Sequence, residues 1–251
     1  MNDFCIRIAG VPVRVRCRFA ENEAFLQDYR TDAAPYFMIE PTASDLKRMQ
    51  SDFDRMNEAH GLPVHPYTNA FLENNAIHAL LAEKLVSHNV LLLHGSALCM
   101  DGQAIIFTAK SGTGKSTHAR LWRQVFGDRV WMINDDKPML RIEKSGVTVY
   151  GTPWDGKHQL SRNASAPLTA IVNLTRDESN HIAPMRRADA FPVLMKRCYA
   201  SRNPATMARI MELEKRLLSA VDFYILGCNM LPEAAKVAWE GMNSPNRAER
   251  K

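Results

Sequence analysis

No run of the 251-residue chain is apolar over the ~20 positions that a membrane-spanning helix needs, and Met1-Asn2-Asp3-Phe4 lacks the basic-then-apolar layout of a secretory leader. The expectation is a cytoplasmic protein without a membrane partner. Cysteine is sparse and shows no pairing pattern. Cys5, Cys17, Cys99, Cys198 and Cys228 are odd in number, scattered and free of any C-x-x-C pair, so they indicate neither a disulfide framework nor a zinc site. Long Lys/Arg blocks with interleaved aromatics are missing too. The net charge of +5 therefore suits a small anionic ligand better than nucleic acid. Repeats and low-complexity tracts are absent, and with 46% hydrophobic residues the chain is neither disordered nor fibrous and can bury a substantial core.

Ser111-Gly112-Thr113-Gly114-Lys115-Ser116-Thr117 carries the most chemistry. It is entered from the apolar run Ala104-Ile105-Ile106-Phe107 and followed by a helical stretch from His118 to Phe126, which is the setting of a phosphate-binding loop. Glycines let successive N–H groups turn inward toward phosphate oxygens, and the helix that follows adds the positive end of its dipole. All seven residues are nucleotide-binding candidates. Lys115 is suited to bridging the outer phosphates and the Ser116 hydroxyl to ligating Mg²⁺, so ATP and Mg²⁺ are the expected cofactors. Ala109 stands where the pattern G-x-x-x-x-G-K-[ST] has its first glycine, which works only if φ there is negative.

The N-terminal region reads as a small α+β part over residues 1–65. Phe4 to Ile8 and Val11 to Phe19 alternate around Ala9-Gly10 as a hairpin whose wet face carries Arg14, Arg16 and Arg18. That basic stripe reads as a solvated or edge-protecting face, or as a docking strip for an acidic substrate. A short strand at Tyr36 to Glu40 and a helix from Ser44 to Ala59, capped by Ser44, complete this part. Gly61 to Pro66 breaks the helix and marks the expected joint.

Residues 66–243 read as the nucleotide domain, and 244–251 as a polar tail. A helix from about Thr68 to His88 opens the domain, and Val90 to Met100 forms one strand or two, turned at Asp101-Gly102 into the strand before the loop. Val130 to Asn134 is a buried strand that ends in Asp135-Asp136, roughly 20 residues beyond Lys115, where a nucleotide site needs a carboxylate. Asp-Asp-Lys-Pro is also turn-like in composition. A hairpin over Pro138 to Tyr150 leads to Gly151-Thr152-Pro153-Trp154-Asp155-Gly156-Lys157, read either as a ligand-contacting loop or as a surface turn. Strands at Leu168 to Leu174, Ile182 to Met185 and Phe223 to Leu226 follow, with helices at Met195 to Tyr199, Pro204 to Ala220 and Pro232 to Met242. The fold class is α/β, a mixed sheet with packed helices rather than a purely alternating βαβ fold.

His94-Gly95-Ser96, the glycine-lysine loop and Asp135-Asp136 together resemble the catalytic domain of bacterial HPr kinase/phosphorylase, which shares its phosphate-loop fold with phosphoenolpyruvate carboxykinase. The stretch from Leu91 to Tyr150 carries the likeness, which with Gly151 to Trp154 and the strand at Phe223 is nearest to the HPr-kinase-related proteins. The family's arginine-containing, glycine-rich signature is missing, and Gly151 to Lys157 occupies roughly its place. The resemblance implies that Lys115 and Ser116 hold phosphates and Mg²⁺, that Asp135 and Asp136 supply a metal partner and a base, and that His94 lies near the transferred phosphoryl group.

The resulting expectation is a kinase that passes the γ-phosphoryl group of ATP to a hydroxyl of an unidentified protein, peptide or small molecule. Ser116 and Asp135 are its metal candidates, and Asp136, His94, Lys115 and Lys157 its catalytic ones. Which aspartate takes which role stays open. Two alternatives stand beside it: a non-catalytic ATP-dependent switch or partner-binding module, and a lyase of the carboxykinase type, which the short chain disfavours. A homo-oligomer is also an expectation, since the resembling family assembles.

Overall fold

The computed structural model describes residues 1–243; the expected tail at 244–251 lies outside the described residues. The chain forms two compact units, Met1–His88 and Asn89–Lys251.

In the first unit, β1 (Asn2–Ile8) and β2 (Val11–Cys17) pair antiparallel, Asn2 opposite Cys17 and Ile8 opposite Val11. The two turn residues, Ala9 and Gly10, take φ values of 50° and 77°, the left-handed pair that matches a two-residue turn to strand twist. Phe4, Ile6, Ile8, Val13 and Val15 are buried, as their alternation predicts. Helix α1 (Ala20–Phe25) was not legible in the sequence, and β3 (Phe37–Ile39) runs parallel to β2. Two of the three arginines on the wet face are matched by acids of their own unit. Arg14 donates two hydrogen bonds to Asp3, at 2.7 and 2.8 Å, and Arg16 lies 3.0 Å from Asp3 and 3.6 Å from Glu40.

Helix α2 (Ala43–Ala59) is capped by Thr42 rather than by Ser44. The Thr42 hydroxyl accepts from the Asp45 N–H while the Asp45 carboxylate accepts from the Thr42 N–H, a reciprocal box that Ser44, two residues later and already inside the helix, does not form. Helix α3 (Asn69–Leu85), capped by Thr68, packs on α2 through Leu46, Leu72 and Ala76. It belongs to this first unit, so the units divide at His88/Asn89 and not at the 65/66 joint that the Pro-rich break suggests. The reason is the buried Glu73 of α3, whose carboxylate accepts from the N–H groups of Arg18 and Phe19 and from Asn22 Nδ2.

The second unit holds β4 (Val90–Leu92), β5 (Ser96–Met100), β6 (Gln103–Thr108), α4 (Lys115–Phe126), β7 (Val130–Asn134), β8 (Met139–Glu143), β9 (Gly146–Tyr150), β10 (Ser165–Arg176), β11 (His181–Pro184), α5 (Arg187–Met195), α6 (Pro204–Ala220), β12 (Asp222–Cys228) and α7 (Glu233–Met242). Their sheet runs β4-β8-β9-β10-β6-β5-β7, with β12 and β11 added beside β10. It is mixed, as expected: β10 lies parallel to β6 and β12, while the other pairs are antiparallel. The sheet curls, because the end of β7 meets the chain leaving β9: Asn134 Nδ2 donates to the Thr152 carbonyl at 3.0 Å. Leu98, Ile105, Phe107 and Val172 of the sheet pack under Trp122 of α4 and Ala235 and Ala238 of α7.

One helix is displaced from its expected place. Residues 196–199 are not helical: the N–H groups of Arg197 and Cys198 both return to the Leu194 carbonyl, and Cys198 then bridges Leu93. The helix lies before them, as α5. No helix among the described residues is long and apolar enough to cross a membrane.

Candidate active site

The glycine loop connects β6 to α4. Thr113 N–H donates to the Lys110 carbonyl at 3.1 Å, and Gly112 and Gly114 take φ values of 76° and 117°. A Cβ at Gly112 would meet nothing within 4 Å, so glycine is needed there for its backbone freedom and not for space. Gly114 caps α4 without any side-chain cap, which leaves the first N–H groups of that helix facing the loop. Ala109 is fully buried in the core and keeps a negative φ, so the missing glycine costs the loop nothing.

Lys115 opens α4 beside the acidic pair. Burial pulls its pKa below the ordinary lysine value, the Asp136 and Asp135 carboxylates pull it back up, and the Arg197 and Lys137 cations add to the lowering. The Ser116 side chain lies close enough to the Asp135 carboxyl to lower its pKa. Asp135 is buried at the end of β7, where its Oδ1 accepts from Ser96 Oγ at 2.7 Å. Burial raises its pKa, against the lowering by the Ser96 hydrogen bond and the nearby Ser116 hydroxyl.

Asp136 turns to the other side of the same chain end. Its Oδ1 lies 2.9 Å from His94 Nδ1, close but poorly aligned for a hydrogen bond, and its Oδ2 lies 3.6 Å from Lys137 Nζ. Burial would raise the pKa of Asp136, but His94 and the charges of Lys137 and Lys115 outweigh it and hold the carboxyl below its usual range. Asp136 is therefore ionised at neutral pH.

Gly95 explains how His94 and Ser96 reach both aspartates. A Cβ there would sit 2.8 Å from Ile106 Cγ2 and 2.9 Å from the Phe107 carbonyl, so only glycine lets this crossing chain lie flat against β6. Gly95 N–H also donates to the Asp136 carbonyl at 3.2 Å. His-Gly-Ser thus places one side chain on each acid, with the close approach between them.

Asn134 and Asp155 hold the acidic turn. Asn134 Oδ1 accepts from the N–H groups of Asp136 and Lys137, while its Nδ2 donates to the Thr152 and Trp154 carbonyls at 3.0 and 3.1 Å. Asp155 Oδ1 accepts from the Asp135 N–H at 3.1 Å, and its Oδ2 from the Ser161 N–H at 2.7 Å. Gly151 to Lys157 is accordingly a brace for the acidic pair rather than a free surface turn. Gly156 lies so near Asp135 that a Cβ would be 3.0 Å from its Oδ2. Lys157, one residue on, is exposed.

The structure thus brings Lys115, Ser116, Asp135, Asp136 and His94 together, and leaves Lys157 at the rim. In the sequence, Ser96 figured only within the His-Gly-Ser motif and Asp155 only within the 151–157 loop, neither with a role of its own, and Asn134 had none. A signal for Ser96 was present, a serine in an otherwise apolar buried strand; none marked Asn134, which is one asparagine at a strand end.

No protein-family model and no curated protein matches the sequence. Among solved structures, the HPr(Ser) kinase/phosphatase from Coxiella burnetii aligns with 60% of this chain and 95% of its own, at 10% sequence identity and a TM-score of 0.36.

Proposed function

We propose that the protein binds Mg-ATP at the glycine loop and transfers the γ-phosphoryl group to a hydroxyl of a protein, peptide or small molecule. One observation carries this reading: the first turn of a helix entered through two left-handed glycines puts Ser116 on a buried aspartate, with a second, ionised aspartate and a histidine alongside.

The donor set suits Mg²⁺. Ser116 and Asp135 offer the oxygens a hard cation prefers, and a buried carboxylate with a raised pKa gains from a nearby cation. No group of three or more His, Cys, Asp or Glu converges as a metal cage among the described residues, and Mg²⁺ needs none, since it takes one or two protein oxygens and leaves the rest to phosphate and water. When bound, the ion neutralises charge on the phosphate oxygens.

The protein's own part is positioning and electrostatics. Loop N–H groups and Lys115 surround the phosphates and spread the charge of the transferring group. Asp136 accepts the proton of the acceptor hydroxyl. A carboxylate held below its usual pKa is a weak base, and a loose transition state asks for no more, because the hydroxyl loses its proton late. His94 steadies that carboxylate from 2.9 Å.

Labelled ATP, Mg²⁺ and fractionated lysate test the proposal. Label should reach a protein or a metabolite with the wild type, and Asp136→Asn should still bind nucleotide yet transfer nothing. An equally fast Asp136→Asn protein removes that residue as base. Binding with no labelled product in any fraction supports the ATP-dependent switch instead.

A further inference from the structure

A cavity of about 380 Å³ opens beside the glycine loop, and its lining includes Lys110, Arg176, Lys196 and Arg197 with no aspartate or glutamate. Its walls come from the loop itself, the end of β10, and the last turn of α5 with the residues that follow it. Four like charges around one concavity repel each other, and an anion placed among them relieves that repulsion.

Little in the protein offsets them. Arg176 Nη2 donates to the Gly112 carbonyl at 2.6 Å, which orders the loop but leaves its charge unmatched. Lys110 and Lys196 are exposed and make no ion pair among the described residues. Arg197 Nε is shielded from solvent and has no hydrogen-bond partner. A buried, unpaired N–H on a guanidinium is costly unless something accepts from it, and the guanidinium fork fits carboxylate and phosphate oxygens.

The cavity is separate from the Ser116 and Asp135 side of the loop. In the sheet order β10-β6-β5-β7, the loop leaves β6, the acids end β7 on one side, and the cavity lies against β10 on the other. Arg197 nevertheless joins the two, because its carbonyl accepts from the His94 N–H at 2.8 Å.

We infer that this basic cavity binds the oxyanion of the phosphoryl acceptor, so that the acceptor is a hydroxyl compound that also carries a carboxylate or a phosphate. The inference rests on the kinase reading for the word acceptor; the oxyanion site stands on the cavity alone. Arg197 ties this cavity to His94 through the backbone, so an acceptor held there sits on the side of the loop that leads to the His94 and Asp136 pair.

The test is a calorimetric titration of the full chain, loaded with a non-hydrolysable Mg-ATP analogue, with inorganic phosphate and separately with acetate, at constant ionic strength. Saturable binding of either is expected, and the tighter of the two tells phosphate from carboxylate. Exposed Lys196 is safe to alter, and Lys196→Glu should weaken the oxyanion roughly tenfold while the analogue binds as before. No saturation, equal affinity in Lys196→Glu, or phosphate binding that vanishes once the analogue is loaded would each overturn the inference, the last because the anion had then occupied the loop. If the analogue itself does not bind, the kinase reading fails, and the same titration on the free protein decides the cavity: phosphate binding that survives Lys115→Met and weakens in Lys196→Glu upholds it, and any other pattern ends it.

Discussion

His118 should make the second unit lose stability on mild acidification. This residue sits in the first turn of α4, 2% exposed, edge-on to Phe107 with ring centroids 4.7 Å apart. Its Nε2 accepts from Trp122 Nε1–H at 3.0 Å, so the ring is neutral, with its proton on an Nδ1 that has no partner. Burial holds its pKa down to about 4, against an ordinary 6.5. Between those two values the unfolded chain carries a proton that the folded chain does not, and stability therefore falls as pH drops through this window. Above 6.5 and below 4 this histidine contributes no slope. The full difference is worth about 3 kcal/mol, of which about 2 kcal/mol is lost by pH 5. The assay is urea unfolding followed by tryptophan fluorescence, since all four tryptophans (Trp122, Trp131, Trp154, Trp239) lie in the second unit. His118→Gln removes the titrating group. The wild type should lose about 2 kcal/mol more than His118→Gln between neutral pH and about pH 5. Parallel pH profiles would refute a buried, neutral His118.

Gly95→Ala forces a Cβ against Ile106 and the Phe107 backbone, so a loss of about 1–3 kcal/mol in denaturant unfolding is expected, together with weaker nucleotide binding as His94 and Ser96 shift. Ser96→Ala takes the 2.7 Å donor from buried Asp135 and should cost about 1–3 kcal/mol by the same measurement; an unchanged midpoint would show that another group satisfies that carboxylate. In the first unit, the Arg14 hydrogen bond lowers the Asp3 pKa to about 2. The stabilisation from this pair is complete above the ordinary carboxylate value and disappears as pH falls toward 2, and an NMR titration should show the Asp3 midpoint moving up in Arg14→Ala.

The strand-loop-helix around Lys115 and the strand ending in Asp135-Asp136 were legible because local rules govern them: an apolar run, glycines at left-handed positions, and a helix that stops at Gly127, whose φ is 56°. The hairpin at Ala9-Gly10 was legible for the same reason. What escaped depends on partners distant in sequence. Glu73 decides where the units divide by reaching Arg18 and Phe19 some 55 residues away, and no local pattern announces that. The helix expected at Met195 to Tyr199 gave way to a bridge between Cys198 and Leu93, again a long-range pairing. In the site, the acids and Lys115 were readable from type and spacing. Asn134, Asp155 and the cavity arginines were not, since Asp155 meets Asp135 from 20 residues away and Arg176 meets Gly112 from 64.

The grip of the glycine loop on a triphosphate underlies the whole account, and isothermal titration with ATP measures it directly. Saturable binding that needs Mg²⁺ and falls roughly tenfold or more in Lys115→Met is the predicted result. A wild-type protein that takes up no ATP with Mg²⁺ present, or a Lys115→Met protein that binds it equally well, would contradict the account.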